Sequence, residues 1–372
     1  MARLGDIFTI SSGGTPNKNE TSYYESGTIP WIKTGDLKGK YVSKEVEYIT
    51  EEGLNNSSAK LFPNNTVLVA MYGATIGACS MLPYEASTNQ ACAAFLPCED
   101  VIPEYLYYFL NSKKDQFIKD GVGGAQPNIS AGYLKNVNFD FVLLDEQKKI
   151  IDVLNKVDNL ISSREQQLSK LDELVKSRFV ELFENKYSTI KIGDVFKTTS
   201  GGTPSKTNPE YYEDGTIPWL SSGEVNAGVI YSVKNYITQT GIDNSSAKMV
   251  PENTVVIAMY GATAGQVGLL RIATTTNQAV CSVLPNNRYV PAYLYYAIKS
   301  KKDWMISQCT GGAQPNISQG IIRQMEIIDA PYEKQEQFAT FVEQTDKSKF
   351  EIQKSLEKLE TLKKALMQKY FG

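Results

Sequence analysis

GGAQPNIS occupies residues 123–130 and recurs, letter for letter, at 311–318. An eight-residue identity is a sign of internal duplication, and the offset of 188 holds along the whole chain. SGGTP at 12–16 returns at 200–204, GTIPW at 27–31 at 215–219, and NSSAK at 56–60 at 244–248. MYGAT at 71–75, TNQA at 88–91 and YLYY at 105–108 return at 259–263, 276–279 and 293–296. A solenoid repeat measures roughly 20 to 50 residues, so this unit is domain-sized and present twice.

Each copy divides into two parts. The first, 1–143 and again 189–330, is dense in Gly, Pro, Asn and Ser and carries short β-branched runs such as TVLVAMY (66–72) and TVVIAMY (254–260), a pattern of strands joined by structured loops. The second, 144–188 and 331–372, loses glycine and proline and alternates charge with apolar residues, which predicts one long helix. In the first helix Ile150, Leu154, Val157, Ile161, Leu168, Leu171, Val175 and Leu182 follow heptad spacing. The matching positions in the second, Phe338, Val342, Thr345, Lys349, Leu356, Leu359, Lys363 and Tyr370, form a weaker seam supplemented by Ile352 and Leu366. A helix of about 40 residues is about 60 Å long at 1.5 Å per residue, more than its own domain can cover. The expected solution is that the two helices pair antiparallel as a coiled coil. The predicted class is α+β: two homologous mixed domains joined by a two-helix spacer, with internal pseudo-two-fold symmetry and the domains at opposite ends of a rod.

Composition narrows the chemistry. The 372 residues carry a net charge of −3, divided as 19 basic against 24 acidic residues over 1–188 and 19 against 17 over the remainder, so any basic surface is local. There is no histidine, the commonest general base and transition-metal ligand. The five cysteines (Cys79, Cys92, Cys98, Cys281, Cys309) lack CxxC spacing, against a zinc ribbon or a disulfide framework. No apolar run reaches the roughly 20 residues of a membrane span, and no basic-plus-apolar leader is visible, so a cytoplasmic, membrane-free protein is expected. GxSxG, HExxH and P-loop motifs are absent, so neither a catalytic residue nor a metal site is expected. Asp329-Ala330-Pro331-Tyr332 approaches an adenine-holding methyltransferase motif, but alanine replaces its first proline and the other copy reads Phe141-Val142-Leu143-Leu144. A strand-to-helix connection is the better reading there.

The polar loops are the candidate binding surface. Gly13-Gly14-Thr15 and Gly201-Gly202-Thr203 let backbone approach another surface and expose its amides. Near them stand Lys18, Lys33, Lys38, Tyr72, Asn89, Gln90, Gln126 and Asn128 in the first copy. The second offers Lys206, Ser221, Tyr260, Asn277, Gln278, Gln314 and Asn316. Asn and Gln present a donor beside an acceptor, the pattern that reads adenine in the major groove, while Lys and backbone amides suit phosphates. Each residue also fits a turn or a buried hydrogen bond, and identity between copies also fits shared scaffold. Differences such as Lys33 against Ser221, Lys38 against Asn226 and Lys40 against Gly228 suggest two related surfaces with slightly different targets.

The ordered set SGGTP, PWI or PWL, YGAT and TNQA, given twice and followed each time by a long helix, resembles the specificity subunit of type I restriction–modification systems. The first helix entrance, Glu146-Gln147 with Ile150, fits the family pattern; the second, Lys334-Gln335 with Phe338, keeps it in part. The resemblance covers essentially the whole chain. It implies two target-recognition domains, each binding one half of a bipartite site on double-stranded DNA, with the helices as spacer. It further implies no catalytic centre or cofactor in this chain, two methyltransferase subunits that bring S-adenosylmethionine, and restriction (translocase and endonuclease) subunits as partners. A duplicated carbohydrate-binding or adhesion module is the alternative, since 22 tyrosines and Asn-rich loops also suit sugars.

Overall fold

The computed structural model describes residues 2–121, 128–310 and 315–372. The chain forms two compact units, Met1–Glu165 with Lys354–Gly372, and Gln166–Gln353. Each holds one globular head and a stretch of both long helices, Leu144–Phe183 and Tyr332–Phe371.

The head of the first unit contains two four-stranded sheets. One runs in the order Ile10–Ser12, Cys92–Phe95, Val67–Ala70, Cys79–Met81, all antiparallel. The other runs Glu47–Ile49, Ile29–Ile32, Ala86–Thr88, Leu61–Phe62, with its two central strands parallel. The run at 66–72 shows why it is almost wholly apolar. Side chains alternate across a strand, so Val67, Val69 and Met71 enter the core shared with the helices, whereas Leu68 and Ala70 enter the core shared with Ile32 and Phe62 of the second sheet. Both faces are covered, and no polar position is left. Val255, Ile257 and Met259 against Val256 and Ala258 repeat the arrangement in the second unit.

That unit keeps the same order, with Thr198–Ser200, Val280–Val283, Val255–Ala258 and Val267–Leu270 in one sheet and Asn235–Ile237, Ile217–Leu220, Thr274–Thr276 and Met249–Val250 in the other. It adds one short parallel strand, Val229–Ile230, on Val267–Leu270. In the first unit the same place holds only a bridge between Tyr41 and Met81.

Antiparallel pairing of the long helices is observed inside each unit. In the first, Lys363 Nζ reaches Asp158 at 2.6 Å. In the second, Lys349 Nζ reaches Asp172 at 2.5 Å, and Phe338 meets Phe179 and Phe183 edge-on at 5.4 and 5.6 Å. The helices also pack on the heads. Ile150, Leu154 and Phe371 are buried in the first head's core, and Val175, Phe179, Phe183, Phe338 and Val342 in the second's. Between these ends the seam is shallower: Ile161, Leu168, Leu171, Ile352 and Leu359 are half-buried, while Val157 and Leu356 are buried and Leu366 half-buried. Phe179, Phe183 and Phe371 lie beside the heptad seam and were not expected as anchors. Phe371 meets Tyr105 at 5.2 Å as Phe183 meets Tyr293 at 4.8 Å, the same contact made by two different helices.

Each helix entrance is held by a buried glutamine. Gln147 Oε1 accepts the Ile102 N–H at 2.9 Å, and its Nε2 donates to the carbonyls of Asp100 and Val142 at 2.9 and 2.8 Å. Gln335 does the same with Val290, Arg288 and Ala330.

Candidate nucleic-acid interface

In each head, strand ends and loops far apart in sequence converge on one rim. Ile29–Ile32 and Ala86–Thr88 are parallel, so the residues after them, Lys33 and Asn89, emerge side by side, with Asn89 N–H donating to the Ile32 carbonyl at 2.9 Å. Asn89 Oδ1 accepts the Ala91 N–H at 3.2 Å and fixes the turn that presents Gln90, whose Oε1 accepts the Thr15 hydroxyl at 2.5 Å. Met71 N–H donates to the Ala91 carbonyl at 2.8 Å, and the Met71 carbonyl accepts Ile129 N–H at 3.0 Å. Tyr72 therefore stands beside Asn128, its bridge partner. Thr15, Lys33, Tyr72, Asn89, Gln90 and Asn128 are thus gathered.

The second head repeats this rim with Thr203, Ser221, Tyr260, Asn277, Gln278 and Asn316. Asn277 N–H reaches the Leu220 carbonyl at 3.0 Å, Ile317 N–H the Met259 carbonyl at 2.9 Å, and the Thr203 hydroxyl bonds Gln278. Tyr72 and Tyr260 are 44% and 45% exposed, each opening a tight turn whose next glycine has φ near +70°. A Cβ on Gly73 or Gly261 would meet nothing within 4 Å, so glycine is needed there for its backbone conformation and not for space.

The glycine pairs need correction. Gly13, Gly14, Gly201 and Gly202 are buried, and two of their amides are spent inside the head: Gly14 N–H donates to the Thr88 carbonyl and Gly202 N–H to that of Thr276, both at 2.9 Å. A Cβ on Gly13 would sit 1.9 Å from the Thr88 oxygen, and one on Gly14 2.2 Å from Ser58 Oγ. The close approach is to the head's own backbone and side chains and locks the rim loop onto the sheet, reinforced by Trp31 Nε1 donating to the Gly14 carbonyl at 3.0 Å. Lys18, Lys206 and Lys38 are exposed on their loops, and Lys33 is ion-paired with Glu47. Gln126 and Gln314 lie outside the described residues.

Among the described residues no cluster of His, Cys, Asp or Glu could hold a metal. Burial pushes the thiols of Cys79, Cys92 and Cys281 up to about 12, so they stay protonated and non-nucleophilic at neutral pH. Asp329 is consumed structurally, accepting the Tyr289 hydroxyl at 2.6 Å and pairing with Arg288, as a strand-to-helix connection requires. No helix among the described residues is long and apolar enough to cross a membrane.

A family model described as the type I restriction modification DNA specificity domain matches residues 1–173 and again 184–364. The chain belongs to this family. Its two matches each take in one head and most of the long helix that follows. The MjaIX specificity subunit of Methanocaldococcus jannaschii, a type I restriction enzyme component, is 24% identical over 401 residues, covering 99% of this chain and 91% of that protein. The EcoR124I/EcoR124II specificity subunit of Escherichia coli is 29% identical over 181 residues, 47% of this chain and 45% of its own length. The fold matches the type I S subunit from M. genitalium (TM-score 0.56, 16% identity, 100% and 95% of the two chains). It also matches a chain from a structure concerned with assembly and conformational transition of the type I R-M system (TM-score 0.66, 15% identity, 100% and 96%). Within type I systems this chain is the DNA-specificity component and not a catalytic one.

Proposed function

We propose that each head reads one half of a bipartite DNA site through the rim that carries Tyr72 or Tyr260, and that the chain recruits modification subunits to it. The observation that carries this reading is the duplication of a single rim, with Thr, Tyr, Asn, Gln and Asn in matching places, within a DNA-specificity family. The amides and hydroxyls suit base edges and phosphates, and the exposed rings suit sugars and base faces. Catalysis and S-adenosylmethionine belong on two methyltransferase subunits, with restriction subunits added for cleavage. The long helices set the interval between half-sites.

Mapping methylated adenines tests the assignment of one head to one half-site. Tyr72→Ala is expected to lower or relax methylation at one half-site's bases and leave the other half's preference intact, with Tyr260→Ala doing the converse. Equal effects on both halves, or none on either, would overturn it. A glycan array gives the competing reading its chance: specific sugar binding without duplex binding would replace this one.

A further inference from the structure

The duplication breaks down just after the GTIPW segment. Residues 32–47 match 220–235, and the only residue the two stretches share is one glycine, Gly35 in the first head and Gly223 in the second. Identity resumes at Tyr48-Ile49-Thr50 and Tyr236-Ile237-Thr238. Neighbours with work to do inside the head have been exchanged for related residues. Buried Ile32 and Leu37 become Leu220 and Val225, and the acid that accepts the N–H of residue 33 or 221 is Asp36 at 2.8 Å or Glu224 at 3.1 Å. The glycine has not been exchanged even for alanine.

Nothing inside either head requires it. Gly35 lies in the short 3-10 turn Thr34–Asp36 and Gly223 in Ser222–Ala227, and neither has a positive φ. Both are exposed, and a Cβ on either would meet nothing within 4 Å. In such a turn alanine is the more stable residue, because glycine gives up more backbone freedom on folding. Gly39, four residues on, shows what happens to an unconstrained glycine here: its added Cβ would meet only the Tyr41 carbonyl at 3.9 Å, and the second head has Ala227 in its place. The constraint on Gly35 and Gly223 therefore comes from outside the chain. Both stand on the rim described above, directly after the strand whose end lies beside Asn89 or Asn277, and the turn of Gly223 packs beside the Gly261–Thr263 turn that follows Tyr260.

We infer that Gly35 and Gly223 are the points where the sugar–phosphate backbone of duplex DNA packs against bare main chain, an approach that any side chain would hold off. This rests on the proposal that the rims read DNA. The pattern of change fits that ligand. The sugar–phosphate backbone has one shape whatever the bases, so a residue that meets it stays the same in both heads, while neighbours that face bases, such as Lys33 and Ser221, diverge. Charge is not what is preserved, since Lys33, Lys38 and Lys44 are all replaced by neutral residues in the second head. What persists is room for close contact. A modification subunit reaching both heads would also present one shape twice, but the place of these glycines among the Tyr, Asn and Gln of the rim assigns the approach to DNA.

The test uses Gly35→Ala and Gly35→Leu in the full chain assembled with its modification subunits, with Gly39→Ala as the control that copies the second head. Gly35→Ala is expected to leave the thermal midpoint of the chain unchanged or raised, since the head has room for the methyl group. Duplex affinity should fall in order of side-chain size, by about tenfold for Gly35→Leu, as for an overpacked contact. The loss should be the same on the specific duplex and on duplexes altered at single bases, because a backbone contact carries no sequence information. Gly39→Ala should bind as wild type does. A lowered midpoint in Gly35→Ala would place the reason for glycine inside the head and overturn the inference. Wild-type duplex affinity in Gly35→Leu, a change in preferred bases, or a failure to assemble with the modification subunits would each overturn it as well. Failure of the wild-type assembly to bind any duplex would overturn the proposed function and this inference together.

Discussion

Gln147 and Gln335 show what one buried side chain does that spacing alone does not reveal. Each is almost inaccessible and satisfies three backbone groups where a strand ends and a long helix begins. A buried polar group left without its partner costs about 1–3 kcal/mol, so Gln147→Leu, which keeps the size and orphans those groups, should destabilise the first unit by about 2–4 kcal/mol. Urea denaturation would measure it, and a change within about 0.5 kcal/mol, the range of ordinary surface substitutions, would show the latch to be unnecessary. The helix-entrance motif was visible in sequence; its task was not, because carbonyls such as Asp100 and Arg288 come from the head and carry no side-chain signal. The same limit explains the glycine pairs. Sequence shows that backbone comes close to something at Gly13 and Gly14, but only the fold shows that the something is Thr88 and Ser58 of the same head.

At the scale of elements, the long helices were legible because glycine and proline vanish and the heptad positions line up across the offset. The anchors Phe179, Phe183 and Phe371 were not, because they face a head and so fall off the helix–helix stripe. Ion pairs such as Lys363–Asp158 lie at the surface and contribute about 0–1 kcal/mol, so they fix register more than stability. The ion pairs 158–363 in the first unit and 172–349 in the second leave one heptad of each helix, residues 162–168 and 353–359, clear of both. Deleting both heptads leaves every aromatic anchor in place. At 1.5 Å per residue the spacer shortens by about 10 Å, close to three base pairs at about 3.4 Å each. Methylation mapping of the double-deletion variant should therefore return a bipartite site with a shorter unread interval and unchanged half-site words. An interval that stays the same would show that the helices do not set it.

At the scale of the whole molecule, duplication constrains what the two heads can read. On the proposed function, matching rims built from Thr15, Tyr72, Asn89, Gln90 and Asn128, and from Thr203, Tyr260, Asn277, Gln278 and Asn316, would offer the same groups to DNA, so the two half-sites should resemble each other when each is read 5′ to 3′ on its own strand. The resemblance should stop where the heads differ. Lys33 projects a cation beside Asn89, although Glu47 shares its charge, while Ser221 is turned onto Glu224, its hydroxyl donating at 2.8 Å. A side chain that contacts a base edge discriminates by about 1–3 kcal/mol, enough to change one preferred base in one half; a phosphate contact would instead shift affinity across all sequences alike. Lys33→Ser/Glu47→Asn, which copies Ser221 and Asn235 of the second head, is therefore expected to make the methylated site more nearly palindromic without loss of the other positions. Sequencing of methylated adenines before and after the substitution reads this directly. Two unrelated half-sites in the wild type would defeat the argument from duplication, and a site unchanged by the substitution would assign the asymmetry to other residues of the rim.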